Sequence, residues 1–203
     1  AWRAGEVVAD AYEIPLPTGL PPGDYRPLVI VYDPADGSER GRLLLAPVAL
    51  QGNPIRPPRR ALEASLASTV YARFGDLELL GFTPPDPTVT YQPGEQLPLT
   101  LLWQSLDELR GELRAEWRLE AVVDTLVGVE AVGGMFQTSR WREGQVVRQW
   151  PVLVLPDGIP AGTYLLRMRL TRDGQPVPWG RGFLPLGSDL DLGPVVVGIP
   201  TPG

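Results

Sequence analysis

The clearest pattern in the sequence is a strict alternation of apolar and charged residues over ELRAEWRLEAV, residues 112–122. Its residues are mostly good helix formers. However, a period of two places every apolar side chain on one face of a strand. The pattern therefore predicts a half-buried β-strand. The residues expected on the buried face are Leu113, Ala115, Trp117, Leu119 and Ala121.

Shorter apolar runs, separated by turns rich in glycine and proline, predict further strands. In the second part of the chain they are FGDLELLGF (74–82), LPLTLLWQ (97–104), VGVEAVGG (127–134), QVVRQWPVLVL (145–155), LLRMRL (165–170) and GPVVVGI (193–199). Seven or eight strands at this spacing, between about residues 70 and 199, are typical of an antiparallel β-sandwich. We therefore predict an all-β fold of the immunoglobulin or fibronectin type.

The N-terminal stretch WRAGEVVADAYEIPLPTGLPPGDY, residues 2–25, aligns without a gap on WREGQVVRQWPVLVLPDGIPAGTY, residues 141–164. Tryptophan, glycine, valine, proline and tyrosine positions coincide in one frame, which indicates one structural unit used twice. A strand, LVIVY (28–32), follows the first copy. We predict a partial sandwich at 1–50 that contains only the last strands, and a complete sandwich at 68–203. On this interpretation the natural folding unit begins before Ala1.

Residues 51–67 join the two parts. Their first half is rich in proline and arginine, as in an interdomain linker. Leu62, Leu66 and Val70 have helical spacing, so a short helix can lead into the second part. A basic docking segment is the alternative interpretation of the same residues.

Tyr25 and Tyr164 each follow a Pro-x-Gly-x motif and enter a strand. In immunoglobulin-type sandwiches a tyrosine in such a place forms a corner, with its ring packed inward and its hydroxyl bonded to nearby backbone. The alternative is a half-buried strand tyrosine without a special bond. The sequence leaves both open.

Composition excludes most catalytic chemistry. There is no cysteine and no histidine, and all 18 basic residues are arginine. Thiol and imidazole nucleophiles and bases, the usual zinc, haem or iron–sulfur ligands, and lysine Schiff bases are therefore excluded. We expect no cofactor and no catalytic residue. A glycoside hydrolase would need a facing carboxylate pair, which no motif indicates.

Charge and hydropathy limit the partners. The net charge of −6, with acidic residues and arginines interspersed, offers no basic stripe for nucleic acid. No apolar run approaches the ~20 residues that cross a bilayer, and the N-terminus shows no signal-peptide pattern. We expect no nucleic-acid partner and no membrane span in this chain.

Two acidic stretches are weak candidates for calcium, because carboxylate oxygens are its preferred ligands. One contains Asp33, Asp36 and Glu39 around a glycine, and the other contains Asp189 and Asp191. The first stretch is too short for the twelve-residue calcium loop, and Asp-Gly is also a strong hairpin-turn signal. We therefore favour a turn without metal.

Six tryptophans and six tyrosines make carbohydrate binding a serious possibility, because an exposed aromatic face can stack on a sugar ring. Trp103 and Trp117 lie on apolar faces and are predicted to be core residues. Trp150, Trp179 and Tyr91 are the candidates for exposed, glycan-stacking aromatics. Packing in the core or in a loop is the favoured interpretation for each of them, because large aromatic side chains are mostly buried.

Several motifs occur in a characteristic order. They are Phe74-Gly75-Asp76, Leu79-Leu80-Gly81, Pro93-Gly94-Glu95, Leu99-Thr100-Leu101 with Trp103, Thr138-Ser139-Arg140-Trp141 with Gly144, and Pro160, Gly162 and Tyr164. The series resembles the β-sandwich modules that follow the membrane part of glycosyltransferase-like proteins, related to protein mannosyltransferases, in filamentous thermophilic Chloroflexi-type bacteria. The resemblance covers about 70–199 as one module and 1–50 as the end of another. Residues 112–122 depart from the usual module. Its third strand is expected to have an aromatic and histidine-containing pattern, and this chain has ELRAEWRLEAV there.

The resemblance implies a position outside the cytoplasmic membrane and an accessory role in a larger membrane or cell-surface protein. It transfers no catalytic residue. Our expectation is a non-catalytic structural or protein-interaction module. Carbohydrate binding is the alternative and a carboxylate-based glycoside hydrolase is a distant third. The expected partner is another protein, or another copy, that completes the sheet of residues 1–50; a glycan is a further possibility.

Overall fold

The computed structural model describes residue 9 and residues 11–51, 58–122, 124–182 and 184–199. These residues form an all-β protein, as the sequence predicts, with one short helix and one 3-10 turn. The N-terminal part contains strands β1 (Gly23–Tyr25), β2 (Leu28–Tyr32), β3 (Glu39–Leu44) and β4 (Val48–Leu50). Residues 2–8 and 10, which belong to the predicted repeat at 2–25, lie outside the described residues.

The second part begins with helix α1 and continues as a β-sandwich. Its first elements are α1 (Arg59–Ser65), β5 (Ser68–Phe74), β6 (Leu77–Thr83), β7 (Thr90–Tyr91), β8 (Gln96–Leu97), β9 (Thr100–Ser105), β10 (Leu113–Glu120) and β11 (Thr125–Ala131). After the 3-10 turn (Thr138–Arg140) come β12 (Val146–Gln149), β13 (Leu153–Val154), β14 (Gly162–Arg172), β15 (Gln175–Val177), β16 (Trp179–Arg181), β17 (Leu184–Gly187) and β18 (Asp189–Val197).

Two sheets form the sandwich. Sheet I has the strand order β12-β9-β6-β5-β16-β17, and sheet II has the order β11-β10-β14-β18-β7, with β15 beside β14. Most pairs are antiparallel, and β7 joins β18 in parallel. A separate two-stranded ladder joins β8 and β13. The result is an immunoglobulin-like sandwich that contains more strands than the seven or eight predicted.

Strand β10 confirms the prediction from its alternating sequence. Leu113, Ala115, Trp117 and Leu119 are fully buried, while the charged residues between them are partly or fully exposed. Ala121 is the exception, because the strand ends at Glu120 and Ala121 is exposed in the following turn. The two-residue period of apolar positions therefore predicts the secondary structure of this segment correctly, whereas the helix propensity of its residues does not.

The sandwich core brings large aromatic side chains together from both sheets. Trp103 of β9 and Trp117 of β10 are fully buried, which confirms that they are core residues. Phe74 of β5 meets Trp103 edge-to-face, with ring centroids 6.2 Å apart. Burial of such side chains contributes roughly 2–3 kcal/mol each and provides the main driving force for this fold.

Helix α1 covers part of the outer face of sheet I. Leu62 and Leu66 pack there against Leu80, Leu102 and Val146 in a second, smaller apolar cluster. The short helix predicted from leucine spacing is therefore present. It ends at Ser65, however, and Val70 belongs to β5. Residues 52–57, the proline- and arginine-rich half of the predicted linker, lie outside the described residues.

The N-terminal strands form two antiparallel two-stranded ladders, β1 with β4 and β2 with β3, which together we call the N-terminal hairpin. The hairpin contacts the sandwich through the segment before β1. There the backbone carbonyl of Gly19 accepts a hydrogen bond from the backbone N–H of Arg148, on the free side of edge strand β12. A Cβ on Gly19 would lie 2.7 Å from Leu102 Cδ1, and the residue has φ +82°, so the close approach requires glycine.

Candidate functional sites

The N-terminal hairpin exposes an unusual number of large apolar side chains. We call these eight residues the hairpin surface: Leu28, Val29, Val31, Tyr32, Leu43, Leu44, Leu45 and Val48. Val31 is 57% exposed and Leu43 is 61% exposed. Contiguous apolar patches of this kind on soluble proteins mark interaction sites.

Both faces of the hairpin carry this surface. Val29 pairs with Leu43 on one face, and Leu28 pairs with Leu44 on the other. Strand β2 pairs with β3 along one edge, and no strand among the described residues pairs with its other edge. The hairpin therefore presents apolar side chains together with a row of unpaired backbone groups, which is a template for strand addition.

The turn of the hairpin contains the first calcium candidates, and each of their carboxylates already has partners. Asp33 accepts hydrogen bonds from Arg40 Nη2 at 2.6 Å and from the Ala35 backbone at 2.8 Å. Asp36 accepts from the Ser38 backbone, and Glu39 pairs with Arg42 at 2.7 Å.

These bonds stabilise the ionised carboxylates. The backbone N–H of Ala35, followed by Arg40, lowers the pKa of Asp33, and Arg42 lowers the pKa of Glu39. The chain reverses between Asp33 and Ser38, where backbone hydrogen bonds close the turn. Within the described part of the chain, no three histidine, cysteine, aspartate or glutamate residues form a group suited to a metal ion.

A second site is a surface groove of about 700 Å³ on one side of the sandwich, which we call the Trp179 groove. Strands β5 and β6 of sheet I form one wall, β14 and β18 of sheet II form another, and the β16–β17 hairpin forms the third. Its principal polar and aromatic lining residues are Trp179, Arg167, Arg181, Ser188, Asp189 and Asp191.

Trp179 is held firmly in this groove. Its indole nitrogen donates a hydrogen bond to the backbone carbonyl of Asp189 at 2.8 Å. The side chain is partly buried against the sandwich core, and the rest of it lines the groove. An indole fixed by packing and by a hydrogen bond loses little conformational entropy when a ligand stacks on it.

The aspartates of the groove form ion pairs across sheet II. Arg167 Nε donates to Asp191 at 2.7 Å, and another nitrogen of Arg167 pairs with Glu120. Arg169 binds Asp189 through two parallel hydrogen bonds of 2.8 and 2.7 Å. The hydrogen bond that Arg169 donates to the Asp189 carboxylate raises the pKa of Arg169.

The sequence contains a signal for these pairs that strand prediction alone missed. Arg167 and Arg169 lie two residues apart, as do Asp189 and Asp191. Equal spacing of opposite charges on two neighbouring antiparallel strands aligns them as cross-strand pairs. The two aspartates, which the sequence offered as weak calcium candidates, are therefore the carboxylates of an arginine–aspartate ladder.

Trp150 lies outside the Trp179 groove. Its side chain is 47% exposed, and it lines a cleft of about 650 Å³ between the sandwich and the base of the N-terminal hairpin. Tyr25, Met135 and Arg148 line the same cleft. Trp150 and Trp179 therefore do not form a joint aromatic platform.

The prediction that Tyr91 is exposed is wrong. Its side chain is only 6% exposed and belongs to the sandwich core. Strand β7 pairs with the end of β18, opposite Val197, and turns the ring inward. The phenol oxygen accepts a hydrogen bond from the Asp86 backbone at 3.1 Å, which satisfies the buried polar atom.

The two corner tyrosines have the same local geometry. The hydroxyl of Tyr25 donates to the carbonyl of Pro21 at 2.9 Å, and that of Tyr164 donates to the carbonyl of Pro160 at 2.8 Å. In both cases the acceptor carbonyl belongs to the residue four positions before the tyrosine. Tyr25 is only partly buried, whereas Tyr164 is a core residue of the sandwich.

Across the described ranges, no helix combines the length and apolar character that a membrane crossing requires.

Comparison with known proteins assigns the chain to no family. No family model matches the sequence, and no curated protein matches it. Among solved structures, 22 chains match, one of which is a Niemann-Pick type C2 protein from the Japanese carpenter ant. That match covers 65% of this chain and 96% of the ant protein, with 6% sequence identity and a TM-score of 0.38.

Proposed function

We propose that the chain is a non-catalytic, extracytoplasmic interaction module whose hairpin surface binds a second copy of the chain. The observation that carries the proposal is the exposure of apolar side chains on both faces of the N-terminal hairpin. The extracytoplasmic position, and the accessory role in a larger membrane or cell-surface protein, rest on the resemblance of the motif series.

The sequence of strand β2 favours self-association. LVIVY consists of residues with high β-propensity, and its order is nearly symmetric about Ile30. Antiparallel pairing of two β2 edges across a two-fold axis at Ile30 places Val29 opposite Val31 of the second copy. It also satisfies both rows of unpaired backbone groups in one continuous four-stranded sheet.

The charges of the hairpin permit this contact. Asp33 pairs with Arg40, and Glu39 pairs with Arg42, so that four of the five charged groups near the turn balance within each copy, and Asp36 leaves one negative charge. The two ion pairs therefore add no net repulsion when identical hairpins approach. The apolar side chains then supply the attractive free energy, at roughly 25 cal/mol for each Å² removed from water.

Sedimentation equilibrium over a wide concentration range tests the proposal. We expect the chain to form a dimer. The substitution Val31→Glu should shift it to a monomer, because each copy would place a carboxylate opposite Val29 of the other copy, where the proposed pairing has an apolar cross-strand contact. Val122→Glu is the matched control, since Val122 is fully exposed in a turn of the sandwich, and it should leave the dimer intact. A monomer at high micromolar concentration, or a dimer that Val31→Glu does not weaken, overturns the proposal.

A further inference from the structure

The Trp179 groove combines a fixed aromatic side chain with polar groups of both hydrogen-bonding types. Guanidinium groups of Arg167 and Arg181 supply donors, and carboxylates of Asp189 and Asp191 supply acceptors. Ser68 and Ser188 add hydroxyl groups that can donate or accept. Sugar hydroxyls also donate and accept at once, so this mixture matches their chemistry.

The balance of charge in the groove indicates a neutral ligand. Two arginines and two aspartates line it, so their formal charges cancel. Both aspartates accept hydrogen bonds from arginines, and Asp191 remains more than half exposed within its pair. A paired arginine and aspartate can bind two neighbouring hydroxyl groups without a change in charge. An anionic ligand would gain one unpaired cation, Arg181, but would lie beside the carboxylates of Asp189 and Asp191.

Arg181 is the most available donor of the groove. It is exposed at the end of β16 and forms no ion pair with any residue that the structure describes. Its strand is held by pairing with β17 and with Arg73 of β5. The guanidinium can therefore turn towards a ligand without losing an existing partner.

We propose that the Trp179 groove binds a neutral oligosaccharide, which stacks on the indole of Trp179 and bonds to Arg181 and Asp191 through its hydroxyl groups. The groove volume of about 700 Å³ lies within the usual range of small-molecule sites, roughly 300–1,000 Å³. The site is separate from the hairpin surface and does not depend on dimer formation.

NMR titration of the full chain tests the proposal, with the indole N–H resonance of Trp179 as the reporter. The probes are maltohexaose, cellohexaose, mannohexaose and an oligogalacturonate of the same length. We expect at least one neutral probe to shift this resonance in a saturable way, and the anionic probe to give no saturable shift.

Variants then locate the contact. Trp179→Ala should weaken the neutral sugar about tenfold or more, as measured by calorimetry. Because that change also removes the bond to the Asp189 carbonyl, Arg181→Gln provides a second variant that leaves the packing intact, and it should weaken binding severalfold. Trp150→Ala is the control and should bind as the unaltered chain does.

The proposal is overturned if none of the three neutral probes shifts the Trp179 resonance, or if oligogalacturonate alone binds. Equal loss of affinity in Trp150→Ala and Trp179→Ala also contradicts it, as does unchanged affinity in both Trp179→Ala and Arg181→Gln.

Discussion

The indole nitrogen of Trp103 donates a hydrogen bond to the side-chain oxygen of Gln149, across 2.9 Å in the buried interior. The same oxygen accepts the backbone N–H of Gly133, and the amide nitrogen of Gln149 donates to Glu130 and to the carbonyl of Ala131. One glutamine of sheet I thus satisfies polar groups of both sheets. It connects edge strand β12 to edge strand β11 and the turn that follows it.

Replacement of Gln149 by leucine should lower the free energy of unfolding by about 2–4 kcal/mol. The leucine retains similar volume but leaves the N–H groups of Trp103 and Gly133 buried without an acceptor. Urea denaturation followed by tryptophan fluorescence measures the change. Gln175→Leu, at an exposed position in β15, should change stability by less than about 0.5 kcal/mol. An equally small effect at Gln149 would show that its network does not stabilise the sandwich.

The two corner tyrosines should differ in their contribution to stability although their hydrogen bonds are alike. Tyr164→Phe removes a bond at a buried ring and should cost the sandwich about 1 kcal/mol. Tyr25→Phe removes the matching bond in the exposed hairpin, so the unfolding midpoint of the sandwich should stay unchanged. Calorimetry of both variants measures this. Equal losses would mean that the hairpin and the sandwich unfold as one cooperative unit.

The sequence predicted those features that depend on local period and on turn chemistry. The alternation over 112–122 identified β10 and the burial of Trp117, because a strand has a period of two wherever it pairs. The spacing of Leu62 and Leu66 similarly indicated α1. Such patterns require no knowledge of which segments become neighbours.

Features that depend on distant neighbours were not predictable in the same way. Tyr91 is buried because two residues of β7 pair in parallel with the end of β18, about a hundred positions later in the chain. The Trp179 groove exists because the β16–β17 hairpin, which the strand prediction did not include, pairs with β5. The sequence identified Trp179 as a candidate for glycan stacking. It did not indicate that the indole nitrogen donates a hydrogen bond to the backbone carbonyl of Asp189.

Arg148 should control how the N-terminal hairpin is held on the sandwich. Its side chain is buried, and its Nε donates to the carbonyl of Thr18 at 2.8 Å. Burial lowers the pKa of Arg148, and no carboxylate among the described residues pairs with it. Arg148→Met keeps most of the packing and removes both the buried charge and this bond.

We expect Arg148→Met to accelerate hydrogen exchange in residues 18–25, while the melting temperature of the sandwich stays the same or rises. Exchange mass spectrometry and calorimetry provide the two measurements. Arg110→Met, at an exposed position, is the control and should leave exchange in that segment unchanged. Unchanged exchange in Arg148→Met would show that the backbone bond to Gly19 alone holds the segment.

Glu130 should make the stability of the sandwich depend on pH. Burial raises the pKa of its carboxyl group above the usual value, although the hydrogen bond from Gln149 opposes this effect. The folded protein therefore binds this proton more tightly than the unfolded chain, whose glutamate has a pKa of about 4.3. Above the folded pKa the ionised carboxylate lowers stability, and this cost disappears as the pH falls towards the unfolded value.

Glu130→Gln tests this dependence, because the glutamine oxygen can still accept the hydrogen bond from Gln149 and carries no charge to desolvate. The variant should be more stable than the unaltered chain at pH 7 to 8, and the difference should close as the pH is lowered to about 4. Thermal unfolding across this pH range measures it, with Glu108→Gln at an exposed site as the control. A difference that stays constant with pH would mean that the substitution acts through packing. A variant that is less stable at every pH would show that the carboxylate accepts a stronger hydrogen bond from Gln149 than an amide can, and that this gain exceeds the cost of its burial.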